Sequence, residues 1–449
     1  MTHTLTQEAD MVSFWLQLAV VLGCIVLGAR VSGLGIGLAG GFGLSILTFV
    51  FHLRPSSPPI NVLLIIAALV TIVSTLQAAG GLDYLVSIAE RLLRRNPNHI
   101  TILGPLVCYV FTIMAGTAYV SLSLFPVIAE VALEAKVRPE RPISASLVIS
   151  KFGITSSPMS AATAAMLALL APSNVTLSQI LLVCVPAGLI ASLMASLVVY
   201  KRGLNLEDDP EYQRLIASGE LTPPAKKEKK EVTRSAKISV ILFAAAIALV
   251  VVFGTFSTLL PQWQVGAKTV RLSVPHTIEM LMLGTALVII LACRIKSSSI
   301  AAASTFRAGM VGFIAIFGIA WMSDTFFLQH KPLFISACAD IVQSYPWLFA
   351  VSLFVMSALL FSQGATVAAL MPLGISLGIP AQYLVAMFAA CNGTFFFPAT
   401  GTTIAAMAFD RTGTTKIGKF VLNHSFMLPG LVATVTSVGL GFAFSYLVF

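Results

Sequence analysis

The chain has 449 residues, 57% of them hydrophobic and 10% charged, with a formal net charge of +9 and a mean hydropathy of +0.94. That composition excludes an ordinary soluble enzyme, and apolar runs long enough to cross a bilayer predict an all-α polytopic membrane protein. The six cysteines are scattered without C-x-x-C pairing, which supports neither a disulfide frame nor a zinc site.

Taken in order at about 20 residues per crossing, hydropathy predicts spans at 12–29, 34–52 and 60–79, then a short amphipathic segment at 84–93. No basic stretch precedes the first span, so no cleaved signal peptide is expected. An apolar stretch at 99–135 is broken near its middle by Gly116-Thr117 and Pro126 and reads as a re-entrant hairpin. A span at 142–171, interrupted at Gly153-Ile154-Thr155-Ser156-Ser157-Pro158, and a span at 177–200 complete the first half. Residues 201–236 are a charged linker containing Pro223-Pro224 and Lys226-Lys227-Glu228-Lys229-Lys230.

The second half repeats this order. Spans fall at 237–259, 276–293 and 308–327, with an amphipathic segment at 333–342 and a hairpin at 345–377 broken at Ser362-Gln363-Gly364. A span at 380–409, interrupted at Gly393-Thr394-Phe395-Phe396-Phe397-Pro398, precedes the last one at 420–448. The interruptions recur about 245 residues apart, the pattern of a secondary transporter with discontinuous helices. Each half crosses an odd number of times, which makes the two an inverted repeat. The predicted units are 1–98 and 237–344 (scaffold helices), 99–200 and 345–449 (hairpin, interrupted helix and final span), and the linker.

Charge placement assigns the sides. Of the 27 Lys and Arg, 22 fall on the face holding the linker and four on the other, with Lys151 inside the membrane. The rich face is then cytoplasmic and both termini lie outside. Positive charge is thus a topology signal and gives no support to a nucleic-acid partner.

Non-helical backbone at membrane depth survives only where protein or a water-filled cavity satisfies it, so the four interruptions should converge on one site. Helices beginning after Thr117, Pro158, Gln363 and Pro398 would aim N–H groups at an anion. The candidate binding residues are Gly116, Thr117, Lys151, Thr155, Ser156, Ser157, Ser160, Ser362, Gln363, Gly364, Asn392, Gly393, Thr394, Thr400 and Thr402. Packing of small residues between helices is the alternative for any single one of them. Lys151 lies ten residues past Arg141, about 15 Å deep, where a charge needs a polar cavity or a partner such as Glu130. Neither metal nor cofactor is expected: His276, His330 and His424 lack ligand spacing, and Glu279 and Asp324 sit near span ends.

Two motif matches are set aside. Gly35-x-Gly37-x-x-Gly40 lies inside an apolar span with no preceding strand, and close packing through Gly33, Gly37 and Gly41 explains it better. Gly374-x-Ser376-x-Gly378 ends a hairpin arm, not a strand–turn–helix elbow. An intramembrane hydrolase would need Lys151 to serve as base to Ser156 or Ser157.

Several motifs carry a resemblance: Gly80-Gly81-Leu82-Asp83, Arg91-Leu92-Leu93-Arg94-Arg95-Asn96-Pro97, Arg138-Pro139-Glu140-Arg141-Pro142 and Ser157-Pro158. Phe409-Asp410-Arg411-Thr412-Gly413-Thr414-Thr415 and Asn423-His424-Ser425-Phe426 with Leu428-Pro429-Gly430 extend it. Together they resemble the anaerobic C4-dicarboxylate transporters, the Dcu family of bacterial inner membranes, from about Leu22 to the C-terminus. The resemblance implies exchange or uptake of succinate, fumarate, malate or aspartate. It also implies, through the ion transporter superfamily, an elevator mechanism, a homodimer, and H⁺ or Na⁺ as coupling ion. The chain departs from the family pattern at Lys151, usually a neutral polar residue, at Ala118, usually Gly, and at Ala399-Thr400-Gly401-Thr402-Thr403, usually a Tyr-Pro loop. A cation-coupled symporter for a related organic anion and a membrane sensor of C4 acids are the other readings.

Overall fold

The computed structural model describes residues 2–31, 34–58, 60–219, 232–266, 268–398, 400–418 and 423–449. The middle of the linker, with Lys226, Lys227, Lys229 and Lys230, lies outside them, as do Gly33, Ala399 and Lys419. The first half opens with α1 (Thr2–Val31), α2 (Gly35–Phe49) and α3 (Ile60–Ala78). Gly80 then takes φ +78°, a left-handed turn that glycine adopts without strain, and α4 (Gly81–Arg95) leaves at 70°. Its Leu85, Ala89 and Leu93 recur every four residues and are buried, while Arg91, Arg94 and Arg95 face out, as the amphipathic pattern predicts.

The first hairpin pairs α5 (Ile100–Ala115) with α6 (Phe125–Glu134) through Gly116 and a 3-10 turn at Ala118–Ser123. Then come α7 (Glu140–Thr155) and α8 (Ala161–Leu170), the two pieces of the interrupted helix, followed by α9 (Leu177–Val199) and the short surface helix α10 (Pro210–Ala217). The second half contains α11 (Arg234–Thr255), α12 (Val274–Cys293), the short α13 (Ser297–Ala301) and α14 (Ser304–Ser344). Its hairpin is α15 (Leu348–Leu360) with α16 (Gln363–Ser376). A broken run follows, α17 (Ala381–Met387), a 3-10 segment at Phe388–Phe395 and α18 (Gly401–Phe409), and α19 (Met427–Val448) ends the chain.

Two features correct the expectation. Strands β1 (Gln262–Val265) and β2 (Lys268–Arg271) form an antiparallel ribbon from Gln262↔Arg271 to Val265↔Lys268, so the fold is not purely helical. Two runs of four residues leave no hydropathy signal between long apolar spans. Next, α14 runs unbroken where a span at 308–327 and a separate segment at 333–342 were expected. Pro332 sits inside it with no glycine beside it, so nothing supplies the left-handed turn that Gly80 provides in the first half. The side chains of 334–344 are not among those described. Among the described residues six helical stretches, one of them the hairpin arm Pro97–Ala115, have the length and composition to cross a bilayer, or seven if α3 and α4 make one bent span, and Val12–Gly28 and Gly35–Phe49 are shorter apolar helices. Hydropathy windows add apolar residues on both sides of a break; α7 and α8, 16 and 10 residues long, are one such case.

Packing follows the halves. Helix α2 packs along α14, and α12 along α3; α1 lies on α2, and α11 on α12. Helix α7 packs on α9 and α17 on α19, while α9 and α19 pack on each other. Swapping the corresponding elements of the two halves exchanges these pairs. The α2–α14 crossing is set by Gly37 and Gly318: a Cβ on Gly318 would lie 1.8 Å from the Gly37 carbonyl oxygen. Of the predicted glycines Gly37 is thus at the contact, with Gly40 beside Gly318, whereas Gly41 faces open space.

Candidate functional site

A cavity of about 580 Å³ lies where both hairpin tips meet the helices α2, α3 and α14. Six of the predicted residues line it: Gly116, Thr117, Ser362, Gln363, Gly364 and Thr400. The opposite wall was not foreseen. It is made by apolar side chains of α2 and α3 and by α14, with Thr305, Gly309 and Gly312. Ordinary apolar helix faces carry no sequence signal that they will border a cavity. Among the described lining residues there is neither an acidic nor a basic side chain.

The tips are shaped by specific backbone. Gly116 has φ +69°, and a Cβ there would lie 2.2 Å from the Met159 carbonyl oxygen, so hairpin tip and α8 entrance touch backbone to backbone. Thr117 caps the 3-10 turn, its hydroxyl accepting the Tyr119 N–H at 3.3 Å. At the other tip Phe361 takes φ +51°, and Ser362 caps α16 by accepting the Ala365 N–H at 3.2 Å. A Cβ on Gly364 would come within 2.7 Å of Ile316 on α14.

Three of the four predicted helix starts converge; after Thr117 a 3-10 turn intervenes, and α6 begins only at Phe125, outside the cavity lining. Ser160 caps α8, whose Ala161 and Ala162 line the cavity, and Thr400 caps α18. With α16, three helices of 10, 14 and 9 residues begin at the cavity wall. Each brings unsatisfied N–H groups and the positive end of its dipole.

Behind this wall stand two polar chains that join the halves. Gln363 Nε2 donates to Asn392 Oδ1 at 3.4 Å, and Asn392 Nδ2 donates to Thr155 Oγ1 and to the Ala389 carbonyl, each at 3.0 Å. Lys151 Nζ donates to Thr400 Oγ1 at 3.3 Å, and that hydroxyl also meets Thr402 at 3.1 Å and Thr403 at 2.7 Å. Lys151 is only 4% exposed. Its expected alternative partner, Glu130, is held instead by Arg94 at 3.0 Å.

The remaining predicted residues are buried away from the cavity lining. Ser156 accepts from the Tyr109 hydroxyl at 2.8 Å and donates to the Cys184 carbonyl at 3.0 Å, tying α5, α7 and α9 together. Ser157 donates to the Ile113 carbonyl at 2.5 Å. Neither serine pairs with Lys151, so the base–nucleophile arrangement of a hydrolase is not assembled. Gly393 packs under α15, where a Cβ would lie 2.6 Å from the Phe354 carbonyl oxygen, and Thr394 is buried beside it. Among the described residues no group of three or more His, Cys, Asp or Glu is placed to hold a metal. His330 faces Gln17 at 2.6 Å, His424 the Phe396 carbonyl at 3.0 Å, and His276 the Glu279 carboxylate at 3.2 Å.

The sequence matches, over residues 13–449, the family described as "Anaerobic c4-dicarboxylate membrane transporter". It is 39% identical over 444 residues to "Anaerobic C4-dicarboxylate transporter DcuB" of Escherichia coli O6:H1, covering 96% of this chain and 98% of that one. It is 38% identical over 445 residues to "C4-dicarboxylate transporter DcuA" of Helicobacter pylori, covering 98% and 100%. The Escherichia coli K12 protein "C4-dicarboxylate transporter DcuA" is 40% identical over 427 residues, covering 95% and 98%. The chain is a membrane transporter rather than an enzyme, and it belongs to the family of anaerobic C4-dicarboxylate membrane transporters.

Proposed function

We propose that this chain moves C4 dicarboxylates such as succinate, fumarate, malate and aspartate across the bacterial inner membrane, by exchange or uptake, and that the cavity between the hairpin tips is its binding site. One observation carries the reading: both tips and the starts of α8, α16 and α18 meet at one cavity with no acid among its described lining residues. A dianion there meets N–H groups, hydroxyls of Thr117, Ser362 and Thr400, the Gln363 amide and, one hydroxyl away, the Lys151 ammonium. The volume lies in the range of small-ligand sites.

The same reading takes the halves as inverted repeats. The exchange of packing pairs between them supports this, as does the 22-to-4 division of basic residues. Helices of 1–98 and 237–344 would form a fixed scaffold, and 99–200 with 345–449 a moving transport domain, in a homodimer with both termini outside. Bonds from Lys151 to Thr400 and from Asn392 to Thr155 tie the two parts of that moving body across more than half the chain. Sliding of this body against α2, α3 and α14 would carry the cavity between the faces, and H⁺ or Na⁺ would accompany the anion in a net-uptake mode.

The deciding experiment is counterflow in proteoliposomes loaded with labelled succinate. External succinate, fumarate, malate or aspartate should accelerate release, and acetate should not. Release unaffected by every C4 acid, or driven equally by acetate, removes the dicarboxylate reading in favour of a carrier for another anion or a sensor.

A further inference from the structure

Lys151 has no counter-ion among the described residues. The elements packed against α7 are α5, α6, α8, α9, α18, α19 and the two 3-10 segments. Their carboxylates are engaged elsewhere: Glu130 and Glu134 of α6 with Arg94 at 3.0 and 2.9 Å, and Asp410, at the end of α18, with Thr412, Thr414 and the Thr415 N–H. Glu140, at the start of α7 itself, pairs with Arg138 at 2.8 Å. The remaining titratable groups on these elements are Cys108, Tyr109, Tyr119, Cys184, Cys391 and Tyr446, and none is an anionic partner of the lysine. The ammonium therefore shares a single hydroxyl, that of Thr400, with the positive end of α18.

Three helix starts at about half a positive charge each, together with one ammonium, roughly match the charge of a dianion. Without an anion the same groups leave an uncompensated positive cluster in the interior. Resting on the transport reading above, we infer that Lys151 enforces exchange: it travels with the site, finds a counter-charge only while a dicarboxylate is bound, and so holds back the return of the empty site. The loaded body crosses with its charges matched. An empty one either carries a bare cation through a low-dielectric interior, where insertion scales put the penalty at about a hundredfold in rate, or must first give up the lysine's proton.

The test compares two fluxes of labelled succinate from proteoliposomes holding wild type, Lys151→Arg or Lys151→Gln. Release into buffer containing succinate measures exchange; release into anion-free buffer requires return of the empty site. Wild type and Lys151→Arg should exchange at least about tenfold faster than they release into anion-free buffer, whereas Lys151→Gln should bring the two rates close together. Equal rates in wild type overturn the inference while leaving transport intact, as does a Gln variant that exchanges and keeps the wild-type ratio. Should the Gln variant fail to fold, the wild-type and Arg ratios still decide it, since a ratio near one in either contradicts a retained cation. Wild type showing no exchange with any C4 acid removes the transport reading itself.

Discussion

Asn392 donates a hydrogen bond to Thr155 at 3.0 Å across 237 residues of sequence, joining the interrupted helix of one half to that of the other. Both residues are buried, and Gln363 in the cavity wall leans on the same amide. The cavity is thereby held from behind by a group that does not line it.

Asn392 and Thr117 should therefore fail differently. Asn392→Leu leaves the buried Gln363 amide without its partner and cuts the link to Thr155, at about 1–3 kcal/mol for a buried group left unpaired. We expect a lower melting temperature together with reduced exchange. Thr117→Val removes one hydroxyl from the wall; losing a bond to a charged ligand is worth about 1.5–3 kcal/mol, or roughly tenfold to a hundredfold in the apparent substrate constant. Because the same hydroxyl caps the 3-10 turn by accepting the Tyr119 N–H, its melting temperature should fall slightly, by less than that of Asn392→Leu. Measuring both quantities for both variants checks the assignment, and an unchanged substrate constant for Thr117→Val would remove that residue from the site.

Two left-handed glycines separate backbone strain from close approach. Gly378 has φ +75° with nothing within 4 Å of an added Cβ, so Gly378→Ala carries only the conformational strain of about 1–2 kcal/mol. Gly116→Ala has that strain and a Cβ 2.2 Å from the Met159 carbonyl as well, which forces the hairpin tip away from α8. Exchange should survive in Gly378→Ala and collapse in Gly116→Ala at equal amounts of protein in the membrane. Comparable exchange by the two variants would mean that the tip–α8 contact has no part in transport.

Interruptions were legible in the sequence because Gly, Pro and clustered hydroxyls inside apolar runs have few other uses. The structure starts α8 at Ala161, α16 at Gln363 and α18 at Gly401, close to where the motifs put them. Lys151 was legible for the same reason, a lone charge in a hydrophobic run. The wall formed by α2, α3 and α14 was not, since Gly309 and Gly312 sit in a helix that reads as one more apolar span. Nor could spacing divide the hydroxyls into those facing the cavity, such as Thr117, and those held in packing, such as Ser156. That division depends on Tyr109, a residue 47 positions away that takes up the serine's hydroxyl. Bend and continuity also turned on one residue type: Gly80 turns α4 away from α3, while no glycine stands beside Pro332 in α14.

Topology is open to direct labelling. Ser218 follows α10 in the basic linker region, and Gln264 lies on the β1–β2 ribbon; both are exposed. In a cysteine-free background an impermeant maleimide added to intact spheroplasts should modify Gln264→Cys and leave Ser218→Cys unlabelled until the membrane is opened. Labelling of both from outside would contradict the charge-based orientation and the inverted repeat built on it.

The final prediction concerns the loops that close one end of the proposed moving body. Arg138 donates to Glu140 at 2.8 Å and to Asp209 at 2.5 Å, and all three are at least nine-tenths buried. Glu140 also accepts from Ser425 at 2.8 Å, so the cluster fastens the start of α7, the segment after α9 and the loop before α19. Burial alone would raise the Asp209 carboxyl, but the Arg138 guanidinium and the N–H groups of Tyr212 and Glu211 more than reverse this and hold it below the ordinary aspartate value of 3.8. A carboxyl with a depressed folded-state pKa contributes stability that is complete above the unfolded value and lost as pH falls through the folded one. Arg138→Ala leaves two buried carboxylates uncompensated, a change that costs about 3–5 kcal/mol. The variant should melt well below wild type at neutral pH. As the pH falls through the range in which Asp209 takes up its proton, the wild type loses the contribution of that paired carboxylate, so the gap between the two should narrow. Melting curves of both proteins over that interval provide the check, and a gap that stays constant with pH would show that Arg138 acts through packing and not through its charge.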